Sequence, residues 1–225
     1  GRAIVFVNHR ESAERVHAAL RQAQLPAGLY HGGLEQIDRE KAIDLFNNGT
    51  TPILVSTDLG SRGLDIDDVN YIIHYHMPTS PESWTHRNGR TARMGASGSV
   101  YLNTGPDEPV PDNIEFNGAY TPSPVNPDPI TSNVATLYFN LGRREKISRG
   151  DVAGFLIQKG GLEAQEVGKI IVRDHAALAT VPKDKAQSVI ETVKSDKIKG
   201  QRVRVNSESG CADVSCATAF IIREI

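Results

Sequence analysis

The sequence predicts two unlike domains in one chain of 225 residues. The first, residues 1–105, is α/β, a mostly parallel sheet with helices on both faces. The second, residues 134–206, is α+β in βαββαβ order. Three observations carry this reading. Short, β-branched apolar runs alternate with helix-like runs through the first hundred or so residues, a pattern that implies right-handed crossovers between parallel strands. Residues 106–133 hold 7 of the 12 prolines. Proline cannot donate to a ladder and restricts the residue before it, so this stretch is an extended, stiff spacer. Beyond it the runs follow a different order: strand, helix, two strands, helix, strand.

The elements of the first domain follow in turn. "AIVFVN" (3–8) is a strand buried on both faces. "ESAERVHAALRQA" is a helix with Val16, Ala19 and Leu20 on one face. "AGLYH" (27–31) is the next strand. "LEQIDREKAIDLFNNG" is a helix with Leu34, Ile37, Ile43 and Phe46 on one stripe and Gly49 as its stop. "PILVST" and "NYIIHYHM" are strands, "SPESWTHRNGRTA" a short helix, and "GSVYLN" the last strand. In such sheets functional groups gather beyond the carboxyl ends of the strands.

In the second domain, "VATLYFNLG", "EVGKIIVRD", "AALATVP" and "GQRVRVN" read as strands, and "RGDVAGFLIQKG" and "KDKAQSVIETVK" as helices. Their order is the split ferredoxin-like motif shared by RRM-type RNA-binding domains. Residues 207–225, a Ser- and Cys-flavoured tail, receive no role.

Charge divides the chain in the same places. Residues 106–133 carry no Lys or Arg against 5 Asp+Glu, and residues 134–206 carry 14 against 8, a net of +6. A basic block behind an acidic spacer points to a polyanionic partner or to a solvated surface with excess lysine. The two cysteines, Cys211 and Cys216, offer too few ligands for zinc, and no resident metal is expected. Apolar runs are far shorter than a membrane span, and no segment has signal-peptide order. A reducing, cytoplasmic setting without membrane contact is therefore expected. Gly1 stands directly before a strand, so the chain is expected to be cut from something longer.

Four motifs occur in order: "IVFVNHR", "HGGLEQIDR", "STDLGSRGLDI" and "HRNGRTARMG". Together they resemble the second RecA-like domain of DEAD-box RNA helicases, over residues 1 to about 105. Arginine suits phosphoryl chemistry because its planar fork is permanently charged and bidentate. A helical turn would put Arg90 and Arg93 on one face. The resemblance implies that both reach the γ-phosphate of ATP, and that His86 and Arg87 tie this domain to the catalytic acid motif of a partner domain. Gly63 would let the backbone approach the nucleotide, and Asp65 would contact its ribose.

Thr57 and Asp58 follow a buried strand; the resemblance gives them RNA backbone contacts, with a helix cap as the plain alternative for Asp58. Gly32, between His31 and Gly33, offers amide N–H groups to phosphate. Gln36 and Arg39 match the family's Q-x-x-R contacts to RNA, and Arg10 is a further candidate. His74 and His76 read as packing residues. No phosphate-binding G-x-x-x-x-G-K-[ST] loop and no D-E-A-D run occurs. In the family both lie in the first RecA-like domain. ATP and Mg²⁺ are thus cofactors of the full-length enzyme, this chain alone should neither bind nor hydrolyse ATP, and the missing N-terminal RecA-like domain is a partner.

"GRREKISRGDVAG" (142–154) is similar to the signature of the RNA-binding domain attached to DbpA-type DEAD-box proteins. The resemblance implies an RRM fold that recognises structured ribosomal RNA. Arg143, Arg144, Lys146 and Arg149 would form its basic loop, with Lys197, Lys199, Arg202 and Arg204 near the last strand. The third strand has no aromatic residue, and alternation sends only one of Tyr138 and Phe139 to the open face. Shape and phosphate recognition is therefore expected rather than base stacking. Two other readings stay open: a non-catalytic RNA-binding adaptor and a DNA-directed helicase of the same superfamily.

Overall fold

The computed structural model describes residues 1–58, 66, 69–91, 98–105, 109–110, 114, 117–118 and 130–208. In the first domain β1 (Ala3–Val7), α1 (Arg10–Gln22), β2 (Ala27–Tyr30), α2 (Gln36–Asn47), β3 (Ile53–Thr57), β4 (Tyr71–His74), α3 (Pro81–Asn88) and β5 (Ser99–Leu102) follow one another. The five strands lie in the order β2-β3-β1-β4-β5, all parallel. Alternation along β1 divides the core between two faces. Ile4 and Phe6 pack with Phe46 of α2, Leu54 and Ile72 on one side. Val5 and Val7 pack with Ala13 of α1 and Val55 on the other, where Val16 and Leu20 add partial cover.

Two side chains depart from the expected stripes. Ala19 of α1 is exposed; Ala13 is the buried alanine. Ile37 is 76% exposed, because α2 packs only through its C-terminal half. There five consecutive residues, Ala42 to Phe46, are all buried. One sheet face cannot bury five residues in a row on a helix, since they point all round it; the second domain covers the remaining side. Asn48 closes α2, and Gly49 follows at φ +84°, a conformation that favours glycine.

The second domain contains β6 (Val134–Phe139), α4 (Arg149–Gln158), β7 (Ile170–Val172), β8 (Ala177–Pro182), α5 (Lys183–Val193), β9 (Lys197–Ile198), β10 (Gln201–Arg202) and β11 (Val205–Glu208). Its antiparallel sheet has the order β11-β6-β8-β7, last strand beside first. Leu137, Phe139, Ala177 and Ala179 face Val152 and Leu156 of α4 and Val193 of α5. Phe139 is therefore core, and Tyr138 belongs to the opposite face.

The single strand expected over 200–206 is two features. Lys199 (φ 50°) and Gly200 (φ 78°) form a two-residue hairpin turn between β9 and β10, which requires positive φ at both positions. The fourth strand of the sheet starts only at Val205 and runs to Glu208, past the expected boundary at 206.

Candidate nucleotide and RNA faces

The carboxyl ends of β1, β3 and β4 meet at one buried side chain. Arg87, on the last turn of α3, is 0% exposed. Its Nε donates to Asp58 Oδ1 at 2.5 Å, and Nη2 donates to Asp58 Oδ2 at 2.7 Å and Asn8 Oδ1 at 2.8 Å. Its Nη1 donates to His76 O at 3.0 Å and approaches His74 Nδ1 at 3.4 Å. All five N–H groups of the guanidinium thus have partners, and its carbon lies 5.3 Å from the Phe6 ring centre. Arg87 is thus enclosed within its own domain, and both carboxylate oxygens of Asp58 accept from it. Asn8, which reading by motif alone passed over, also donates from Nδ2 to Met77 O at 2.9 Å and binds His76 Nδ1 through its backbone N–H.

His74 completes the cluster. It is 0% exposed and stacks on Trp84 with ring centres 4.6 Å apart. Arg87 can only donate, so Nδ1 must accept, and the proton sits on Nε2, 2.8 Å from Asn88 Oδ1. Burial lowers the His74 pKa from 6.5 to about 4, opposed by the Asn88 hydrogen bond and reinforced by the Arg87 charge. The folded protein therefore holds His74 neutral while an unfolded chain protonates near 6.5. The stability due to this difference is complete above about pH 6.5 and declines as pH falls towards 4, by on the order of 3 kcal/mol. Trp84 fluorescence in urea titrations at pH 7.0, 5.5 and 4.5 should show the midpoint falling. His74→Gln should flatten that trend.

Helix α3 starts with Ser80 Oγ accepting from Ser83 N and with Pro81 in its first turn. It ends at Asn88, so Arg90 lies just beyond the helix. Gly89 N and Arg90 N bond back to Thr85 O and Arg87 O. Thr91 then bridges to Val69, with its Oγ1 donating to Val69 O at 2.5 Å. Arg90 is half-buried beside this bridge, and His86 is exposed. Gly63, Asp65 and Arg93 lie outside the described residues.

The remaining RNA candidates collect at the same rim. Arg10 is exposed and packs against the turn at Gly32 and Gly33, whose N–H donates to His31 Nδ1 at 3.1 Å. Arg39 Nη2 donates to Gln36 Oε1 at 2.7 Å on the exposed first turn of α2. Thr57 is buried, 5% exposed, at the end of β3.

In the second domain the eight basic candidates gather around one turn and one hairpin. Arg143, Arg144, Lys146 and Arg149 are exposed, as are Lys197, Lys199, Arg202 and Arg204. Arg143 N and Arg144 N donate to Arg173 O and Asp174 O, both at 2.9 Å, fixing the turn to the β7–β8 loop. A Cβ on Gly142 would stand 2.4 Å from Arg173 O, so no side chain fits there. The hairpin closes from the other side: Gln201 Nε2 donates to Glu145 O at 2.9 Å and Lys199 Nζ to Lys146 O at 3.0 Å. Lys199 also pairs with Asp151 Oδ2 at 2.8 Å. That ammonium, with the Ser148 hydroxyl and N–H, holds the Asp151 carboxyl down at about 2.

The helicase conserved C-terminal domain matches residues 1–95, and the DbpA RNA binding domain matches residues 136–207. The ATP-dependent RNA helicase DbpA of Escherichia coli is 32% identical over 90% of this chain and 46% of its own length. The Bacillus subtilis protein of that name is 26% identical over 90% of the chain and 48% of its length. The chain thus spans about half the length of these relatives. The solved E. coli DEAD-box protein SrmB, bound to regulator of ribonuclease activity A, has 38% identity and a TM-score of 0.43, over 45% of this chain and 59% of that one. The chain thus carries a RecA-like helicase C-terminal domain followed by a DbpA-type RNA-binding domain.

Proposed function

We propose that this chain is the C-terminal part of an ATP-dependent DEAD-box RNA helicase. It supplies one wall of a split nucleotide site and a second domain that tethers the enzyme to structured RNA, with ribosomal RNA as the target class. The observation that carries the reading is the Asp58–Arg87 bidentate pair. It ties the residue that follows β3 to the last turn of α3, three residues before Arg90. In this reading Arg90 and Arg93 meet the γ-phosphate, Gly63 and Asp65 meet the nucleoside, and Mg²⁺ arrives with ATP on the partner domain. Arg10, Gly32, Gln36, Arg39 and Thr57 track an RNA backbone.

The basic turn and hairpin of the second domain supply phosphate contacts. Because those contacts release counterions, affinity should fall steeply with salt. Filter binding of the whole chain to ribosomal RNA hairpins tests this. Arg143→Ala and Arg204→Ala should each weaken binding and reduce the slope of log K against log salt by about 1. Unchanged affinity in both would place the RNA face elsewhere. A DNA hairpin of equal length competing equally well would favour a DNA-directed protein.

A further inference from the structure

In βαββαβ RNA-binding domains the sheet face turned away from the helices is the one that stacks bases. Here part of that face is closed. By alternation Thr136, Leu178 and Thr180 lie opposite the core residues Leu137, Ala179 and Val181, yet they are 0%, 6% and 4% exposed. At Thr136 the first domain contributes the cover, while Thr180 is packed against Gly168 of its own domain. Asn48 Nδ2 donates to Thr136 Oγ1 at 2.6 Å, and Thr50 Oγ1 lies 2.7 Å from the same hydroxyl. Lys41 pairs at 2.7 Å with Glu208, the register partner of Thr136. Ser132 Oγ donates to Gly49 O at 2.8 Å.

At the edge of this contact Arg173 reaches across. Its Nη2 donates to both oxygens of Asp44 at 2.8 Å, its Nε to Oδ2 at 3.2 Å, and its Nη1 lies 3.6 Å from Glu40 Oε2. The Asp44 side chain is 8% exposed and that of Arg173 41%, so the carboxylate is withdrawn from water while the guanidinium stays partly open to it. Arg173 also belongs to the basic turn, because its carbonyl holds Arg143 N. Glu40 in turn accepts from Gln36 Nε2 at 2.7 Å, and Gln36 is bonded to Arg39.

We propose that the open sheet face of the DbpA-type domain is a docking surface for α2 and the Asn48–Thr50 turn of the RecA-like domain, and not a base-stacking platform. Arg173 latches the dock and so holds the basic turn at a fixed place relative to Gln36 and Arg39. The docking stands on the contacts alone; what it does for RNA rests on the function proposed above.

The test is thiol labelling of Thr136→Cys in the whole chain, with Cys211 and Cys216 replaced by serine. Thr136 is sealed only while the domains are docked. Labelling should be slow in that background, and Arg173→Ala or Asp44→Ala should each accelerate it about tenfold or more. The double variant should be little faster than either single, since both remove one interaction. Asn48→Ala should also accelerate labelling and serves if Asp44→Ala does not fold. Fast labelling before any latch variant would overturn the docking. Additive effects, or none, would overturn the latch. In the Arg173→Ala chain, a bound ribosomal RNA hairpin should leave the cysteine reactive. Protection by RNA there would show that the face stacks bases and would overturn the proposal, whereas failure of the hairpin to bind at all would count against the proposed function instead.

Discussion

Mixed with a RecA-like domain that carries the phosphate loop and the acidic motif, the chain is expected to support RNA-stimulated ATP hydrolysis, and Arg90→Ala to lower that turnover about 10³–10⁵-fold. The size follows from what an arginine does in phosphoryl transfer. Charge spreads over the γ-phosphoryl oxygens in the transition state, and a fixed, bidentate cation lowers the barrier without having to reorganise. The backbone of Arg90 is fixed on both sides: its N–H bonds to Arg87 O and its carbonyl accepts from Val69 N. Arg90→Lys should recover little, since an ammonium keeps the charge and loses the fork. The chain by itself should turn over no ATP. RNA-stimulated hydrolysis by the chain alone, or an Arg90→Ala loss of only a few-fold in the mixture, would contradict the split-site reading. Intact RNA binding with no hydrolysis in any mixture would favour an RNA-binding adaptor.

Arg87→Ala should act by another route and destabilise the first domain by about 3–5 kcal/mol, the range for removing one partner of a buried ion pair. The loss exceeds that of a surface pair because Arg87 is fully enclosed and its removal takes a donor from four groups: Asp58, Asn8 Oδ1, His76 O and His74 Nδ1. Lysine cannot replace it, having three donors on a point charge where five are used. Trp84 is the chain's one tryptophan and stacks on His74 within the cluster. Its fluorescence therefore follows this domain without interference from the other. Urea unfolding monitored there should show a lowered midpoint for Arg87→Ala and a smaller change for Asp58→Asn, which keeps a hydrogen-bonding group in place. A midpoint within about 0.5 kcal/mol of the parent, the usual scale of surface substitutions, would mean the cluster is dispensable.

The strands of the parallel sheet were legible because β1 and β3 are short apolar runs bounded by turns, the pattern of strands buried on both faces. The end of α2 was legible from one glycine. Arg87 was not, because a sequence treats arginine as surface until something shows that every donor is matched. Ile37 misled for a related reason. It fits a helical stripe, but the stripe has no sheet beneath it at that end of α2. The short hairpin at Lys199 and Gly200 was hidden inside what looked like one basic strand. The dock between domains had no periodic signal at all: Asn48, Thr50, Thr136 and Arg173 are polar residues far apart in the chain. Only the run of buried residues from Ala42 to Phe46 hints at it, and burial is a property of the folded chain.

The capping box at the start of α4 bears on which anions this surface will accept. Ser148 and Asp151 satisfy each other's backbone N–H groups, and the Asp151 carboxylate stays ionised down to about pH 2. A helix start is ordinarily a ready-made seat for a phosphate. Here the protein has filled that seat with its own carboxylate and pinned Lys199 over it. A lone phosphate arriving at this spot meets a rival already in place. What remains attractive is the outer ring of arginines and lysines, which a long polyanion can engage at several points together. In a solution crowded with free nucleotides and inorganic anions, that self-occupancy acts as a filter against small anions at this helix start.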